Sequence, residues 1–163
     1  MADWGYPEIN DSVILTPQNH DQFIRDYEEA LIYYHLPNCK YCVIINKFFS
    51  ELSLEWKERD PRVPFAKFNC SKHIEYCENL AIPVFPFIKF YIRGHPIPYY
   101  GKRLKYNLNK FVEDIMKKEP IEINFEKIID KNFHKETFLV YFGNKNTKTY
   151  HYYDLNSKYH LEK

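Results

Sequence analysis

Glycine is scarce in this chain, with four residues against ten prolines. Long floppy connections are thereby excluded, and the links between elements are stiff. No charge of one sign dominates either: 23 basic and 22 acidic residues leave a formal net charge of +1. Nucleic acid and anionic membrane therefore have no electrostatic claim as partners. No apolar run reaches the length of a membrane span. Residues 1–10 carry neither a basic region nor an apolar block, so no signal peptide is visible. The chain is then either cytosolic, or a mature or recombinant piece whose signal was removed and Met1 added.

What is present is enough for a packed domain. The 163 residues are 45% hydrophobic, which supports one core of ordinary size with some chain to spare. Four cysteines fall as two pairs, Cys39/Cys42 and Cys70/Cys77. An even, paired set favours an oxidising compartment, although a Cys-x-x-Cys also serves cytosolic redox proteins.

Periodicity predicts a first strand at 13–15, and Thr16-Pro17 then reads as N-cap and first helical position. Phe23, Ile24 and Tyr27 share one face of that helix. A continuous apolar run at 30–35 predicts a buried strand. From Cys39 a long helical pattern begins, with Ile44, Ile45, Phe48, Phe49, Leu52 and Trp56 at three- and four-residue spacing, ended by Asp60-Pro61. A strand follows at 63–69, then a short helix capped by Ser71 and running to about Leu80. A strand at 87–92 turns at Arg93-Gly94 into a hairpin partner at 97–100. A last amphipathic helix carries Leu108, Phe111, Val112 and Ile115. The order β-α-β-α-β-α-β-β-α predicts an α/β fold with a mixed sheet and helices on both faces. This accounts for residues 1–118. Residues 119–163 read as the opening α-β-α of a second unit whose natural chain continues past Lys163, or else as a C-terminal extension packed on the first domain.

The chemistry is expected at Cys39-Lys40-Tyr41-Cys42, between a buried strand and a long helix. There Cys39 occupies a helix N-terminus, where unpaired N–H groups and the helix dipole favour a thiolate. Cys42 follows on the same face within the first turn. Cys39 is then the exposed nucleophile, and Cys42 the resolving thiol that clears a mixed disulfide. The competing reading is half a zinc site, but the six residues between Cys70 and Cys77 make a poor second half. His35 and His73 are near in sequence, yet a helix start seldom supplies such geometry. Pro86, in Ile82-Pro83-Val84-Phe85-Pro86-Phe87, cannot donate to a sheet and so belongs at a strand start. A cis Phe85–Pro86 bond would turn that loop towards Cys39, although trans is the general default.

Residues 31–42, the pair Cys70 and Cys77, the run Val84-Phe85-Pro86-Phe87-Ile88-Lys89-Phe90 and Tyr100-Gly101-Lys102-Arg103 occur in a familiar order and spacing. Over residues 13–118 the chain resembles a catalytic domain of the protein disulfide isomerase family. From Pro120 onward it resembles the start of that family's next thioredoxin-like domain, without a Cys-x-x-Cys. The resemblance implies a thioredoxin-like three-layer α/β/α fold and a thiol–disulfide oxidoreductase or isomerase acting on protein cysteines, with no cofactor or metal. It implies a cis Pro86 beside the redox pair, a substrate groove formed by Phe85, Pro86, Lys40 and Tyr41, and a structural disulfide between Cys70 and Cys77. A buried reduced pair is the alternative for those two. It also implies that Arg103 swings towards the site and tunes Cys42; on the sequence alone Arg103 is equally a plain surface residue. The expected location is the endoplasmic reticulum lumen, with cytoplasm as the alternative. Expected partners are proteins with thiols or disulfides, and one partner through the second unit.

Two departures stand out. The family's usual Trp-Cys-Gly-His-Cys is here Asn38-Cys39-Lys40-Tyr41-Cys42, so a His that stabilises the thiolate is missing and Lys40 is a flexible, solvated substitute. The family's buried acid on the preceding strand is here Tyr33, a poor base near neutral pH. Both changes predict a slower, more reducing pair. The competing function is a binding module that holds unfolded chains through aromatic surface, with Tyr99, Tyr100, Tyr106 and the stretch 150–153 as contributors. Two glycosylation sequons begin at Asn10 and Asn69; neither decides location.

Overall fold

The computed structural model describes residues 5–9 and 11–117. The expected second unit at 119–163, including the stretch 150–153, lies outside the described residues, as does Asn10. Six strands form one sheet in the order β1-β2-β4-β3-β5-β6. They are β1 (Glu8–Ile9), β2 (Ser12–Leu15), β3 (Glu29–His35), β4 (Phe65–Asn69), β5 (Phe87–Ile92) and β6 (His95–Pro98). The helices are α1 (His20–Asp26), α2 (Lys40–Arg59), α3 (Ile74–Asn79) and α4 (Lys105–Lys117). The sheet is mixed: β2 and β3 each run parallel to β4, while β5 runs antiparallel to both β3 and β6. No described helix is long and apolar enough to cross a membrane.

Strand alternation sorts the side chains between two faces. Val13, Leu15, Ala30, Ile32, Tyr34, Ala66, Phe68, Phe87 and Tyr91 pack with Phe23 of α1 and Cys77 of α3. On the other face Tyr33 and Phe65 meet Phe49 of α2, and Phe90 meets Phe111 of α4. Helix α2 buries Cys42, Ile45, Phe49, Leu52 and Trp56 along one stripe. Each large apolar side chain in that stripe contributes about 1.5–3 kcal/mol of burial. The helix is thus anchored along its length, and its first turn, which carries the chemistry, sits on a fixed support.

Several element boundaries differ from the sequence expectation, each for a physical reason. Helix α1 starts at His20 rather than at Pro17. Asn19 Oδ1 accepts from Thr16 N at 2.7 Å and Asn19 Nδ2 donates to the Ile14 carbonyl at 3.2 Å, so residues 16–19 form a turn tied to the strand end. Asn69, not Ser71, caps the turn after β4, with Oδ1 accepting from Ser71 N at 3.0 Å. β6 begins at His95, two residues before the expected start. Arg93 and Gly94 both have positive φ (47° and 81°), the two-residue turn that pairs Ile92 directly with His95. Ile44 is 40% exposed because Ile45, Phe49, Leu52 and Trp56 already fill the buried stripe. The two-residue β1, which had no periodic signal, extends the sheet beyond β2.

Candidate functional site

The site lies where β3 ends and α2 begins. Cys39 is the N-cap of α2, in extended conformation (φ −82°, ψ 120°), and is half-buried. Its Sγ accepts from the Cys42 amide at 3.2 Å, so the sulfur itself is the cap of the helix. On the other side the Cys39 thiol faces the Phe85 carbonyl at 3.6 Å, which the Phe85–Pro86 cis peptide presents. Cys42 is fully buried one turn further on. Both are free thiols, so the structure describes the reduced dithiol. The sequence therefore put together what the fold puts together: Cys39, Cys42, Phe85 and Pro86 meet at one point. Lys40 and Tyr41 are exposed beside them.

Burial, and next the neighbouring Cys39 sulfur, push the Cys42 thiol above its ordinary range, although the Leu36 backbone and the Tyr33 hydroxyl act against this. Cys42 therefore holds its proton near neutral pH. Tyr33 is fully buried on β3 and donates its hydroxyl to the Cys42 carbonyl at 3.0 Å. Burial, with the nearby Cys42 thiol, holds the phenol pKa far above its ordinary value of 10. At neutral pH Tyr33 is a fixed donor and not a base, so the proton leaving Cys42 has no acceptor there.

Arg103 is exposed, and its guanidinium carbon lies 5.4 Å from the centroid of the Tyr41 ring. Its charge is thus parked over a residue of the Cys-x-x-Cys itself. Gly101 is needed nearby, because a Cβ there would come within 2.5 Å of the Tyr99 ring. Cys70 and Cys77 form a disulfide (S–S 2.02 Å, Cα–Cα 5.9 Å) that ties the end of β4 to α3. They pack with the α1/α3 face, the opposite face from Tyr33.

Two features escaped the sequence reading. The Phe85 carbonyl is a backbone group, invisible to any residue pattern. His35 stands two residues after Tyr33 on the same face of β3, with the ring centroids 5.2 Å apart. Strand alternation would have placed it beside Tyr33, whereas the sequence reading weighed it only against zinc.

A half-exposed thiol capping a helix, a buried thiol one turn on and a carbonyl before a cis-proline together define a dithiol site on a thioredoxin fold. Comparison with known proteins gives the same class. The thioredoxin family profile matches residues 11–114, and the chain belongs to the thioredoxin family; its domain is a thioredoxin-like domain of the protein disulfide isomerase kind. Human protein disulfide-isomerase A4 is 26% identical over 109 residues, 66% of this chain and 17% of that protein. Endoplasmic reticulum resident protein 44 of Bos taurus is 22% identical over 162 residues, 94% of this chain and 40% of that protein. The solution structure of the first thioredoxin domain of mouse protein disulfide-isomerase A4 superposes with a TM-score of 0.63 at 22% identity, covering 75% of this chain and 89% of that one. The chain thus spans less than half the length of either curated relative.

Proposed function

We propose that this protein is a thiol–disulfide oxidoreductase of the protein disulfide isomerase kind, working on protein substrates through its Cys-Lys-Tyr-Cys pair. The observation that carries this reading is the placement of Cys39, with its sulfur half-exposed between the Cys42 amide and the Phe85 carbonyl. The Cys39 thiolate attacks one sulfur of a substrate disulfide. A mixed disulfide forms, and the other substrate sulfur leaves as a thiolate and takes a proton. Cys42, once deprotonated by water, attacks Cys39; a Cys39–Cys42 disulfide forms and the reduced substrate is released. Phe85, Pro86, Lys40 and Tyr41 line the path of the substrate chain, and Arg103, released from Tyr41, supplies positive charge to the resolving step. The Cys70–Cys77 disulfide is a structural staple with no turnover role.

Tyr33 and Tyr41 set this pair apart from the family. Without the family's His the Cys39 thiolate has less support, and without the buried acid Cys42 loses its proton more slowly. The pair is therefore a slower and more reducing one. The endoplasmic reticulum lumen is the proposed location, supported by the likeness to endoplasmic reticulum resident protein 44, to which 94% of this chain aligns. The same alignment supports residues 119–163 as the start of a second thioredoxin-like unit, the proposed contact for a further partner.

A second reading has its own observation. Tyr41 (53% exposed), Val84 (54%), Tyr100 (83%) and Leu104 (55%) are large apolar side chains left in solvent on the segments around Cys39. Such a rim suits a module that holds unfolded chains. Insulin reduction separates the two: activity in wild type that disappears in Cys39→Ser supports the enzyme, and no activity in either supports the module.

A further inference from the structure

Acidic residues are unevenly placed along this chain. Residues 30–50 and 79–112 contain no Asp or Glu, yet together they hold eight Lys or Arg. These two stretches supply most of β3, the first half of α2, the cis-proline loop and the loop before α4, and those segments meet at Cys39. Three contacts bring them together. The Cys39 thiol faces the Phe85 carbonyl at 3.6 Å, the Arg103 guanidinium carbon lies 5.4 Å from the Tyr41 ring centroid, and the Tyr100 and Phe87 rings meet edge-on at 6.4 Å.

A near-neutral chain therefore presents its dithiol within a basic surface. Lys40, Lys102 and Arg103 are exposed there. Among the described residues none of the three forms an ion pair, and Arg103 rests on an aromatic face instead. The first acid along α2, Glu51, is already met by Lys105 at 3.0 Å, and Glu55 by the same lysine at 2.7 Å. Helix α3, which carries Glu75 and Glu78, packs on the other face of the sheet through Cys77. Cations left without an anion make this surface complementary to negative charge. Apolar side chains are interleaved with them: Tyr41, Val84 and Leu104 are each more than half exposed.

We propose that this surface selects protein substrates in which Asp or Glu flanks the reacting cysteine next to an apolar side chain. Lys40, Lys102 and Arg103 meet the carboxylates, and Tyr41, Val84 and Leu104 meet the apolar group. The proposal rests on the reading of Cys39–Cys42 as a thiol–disulfide oxidoreductase. A protein cysteine fits this surface, whereas a lipid headgroup or a nucleic acid would leave Cys39 idle. Exposed pairs are individually weak and screened by salt, so the preference comes from several acting together.

The test mixes the reduced full chain with disulfide-linked peptide dimers that carry Glu, Gln or Lys on both sides of the cysteine beside one Leu. Each peptide disulfide is reduced to two thiols while Cys39 and Cys42 form their own disulfide, so no other reductant is needed. Every rate is divided by that of a small neutral thiol on the same peptide, which removes the intrinsic reactivity of the peptide disulfide. The Glu peptide is expected to exceed the Lys peptide by about tenfold, or about 1.4 kcal/mol, in about 10 mM salt, and to approach parity in about 1 M salt. Lys40→Glu/Lys102→Glu is expected to reverse the order, and Lys102→Glu alone, should the double variant fold poorly, to lower the ratio several-fold. No preference in wild type, a preference that survives high salt, or a ratio unchanged in the variants would overturn the proposal. Reduction of all three peptides at equal rates leaves the oxidoreductase reading standing and removes this one. If no peptide is reduced, the oxidoreductase reading fails instead. The affinities of the same peptides with Ser in place of Cys, read from NMR shifts of the amides of 40–44 and 100–104, then decide the charge preference: Glu tighter than Lys supports it and equal affinity overturns it.

Discussion

The two faces of the sheet treat buried polar groups in opposite ways. On the α1/α3 face every polar group of a buried aromatic cluster is satisfied. His20 Nε2 meets the Tyr34 hydroxyl at 2.7 Å, Tyr34 meets Tyr91 at 2.8 Å, and Tyr76 reaches Asp21 at 2.9 Å. His20 Nδ1 closes the circuit on Asp21 at 3.0 Å, and Lys89 Nζ donates to the Leu80 carbonyl at 2.6 Å. On the α2 face, at the end that carries Cys39, the accounts stay open. Tyr33 offers a donor where a base is needed, His35 Nδ1 has no partner, and Lys67 has no counter-charge among the described residues. A closed network fixes a unique core. Open groups gathered at the end of a buried face mark where a fold leaves room for chemistry or ligand.

Breaking the closed side should cost most. Tyr34→Ala removes a fully buried ring together with the link between His20 and Tyr91. It is expected to lower stability by about 3–5 kcal/mol in urea unfolding, by analogy with large-to-small aromatic changes. Removing the staple on the same face, with Cys70→Ser/Cys77→Ser, is expected to cost about 2.5 kcal/mol for so short a loop, read by thermal unfolding under non-reducing conditions.

On the open side the effects are on rate before stability. Tyr33→Phe loses one hydrogen bond and should cost about 1 kcal/mol, while insulin reduction falls only slightly, because the hydroxyl that helps hold the Cys42 thiol down is lost but no proton acceptor is. Tyr33→Glu is expected to speed turnover at neutral pH by supplying one. A fall in rate in both variants would show that the phenol itself takes part.

Acid links the two faces. His20 is lowered chiefly by its burial, partly opposed by Asp21, and His35 is lowered to about 4. Both imidazoles bind a proton less readily folded than unfolded. The unfolded chain therefore takes up more protons below about pH 6.5, and stability falls as pH falls through that value, the His35 part being complete near pH 4. Chemical unfolding at several pH values should show this slope, and His35→Gln should make it shallower by one proton. The smallest effect is expected from Arg103→Ala. Its exposed contact with Tyr41 is worth about 0.5–1 kcal/mol at most, so stability stays near wild type.

The fold was legible because its signals are long-range and redundant. The apolar run of β3, the stripe of α2 and the hairpin at Arg93-Gly94 agree with one topology, and the Cys-x-x-Cys at a strand-to-helix junction locates the site within it. Short-range features were less legible. Thr16-Pro17 has the form of a helix start, but Asn19 uses its side chain on the strand end instead, and a propensity cannot see that competition. The partner start at His95 depends on φ at Arg93 and Gly94. At the site, the identity of Tyr33 was visible and its consequence for Cys42 followed at once. The Phe85 carbonyl and the orphan nitrogen of His35 exist only once the chain has folded.

The reduction potential of the Cys39–Cys42 pair tests the account most directly, measured by equilibration in glutathione buffers with mass-spectrometric assignment of the bridged cysteines. Loss of the family His and of the buried acid predicts a value below the roughly −180 mV of protein disulfide isomerase, shifted towards the roughly −270 mV of thioredoxin. A value at or above −180 mV, or a pair that never closes under oxidising conditions, would contradict it.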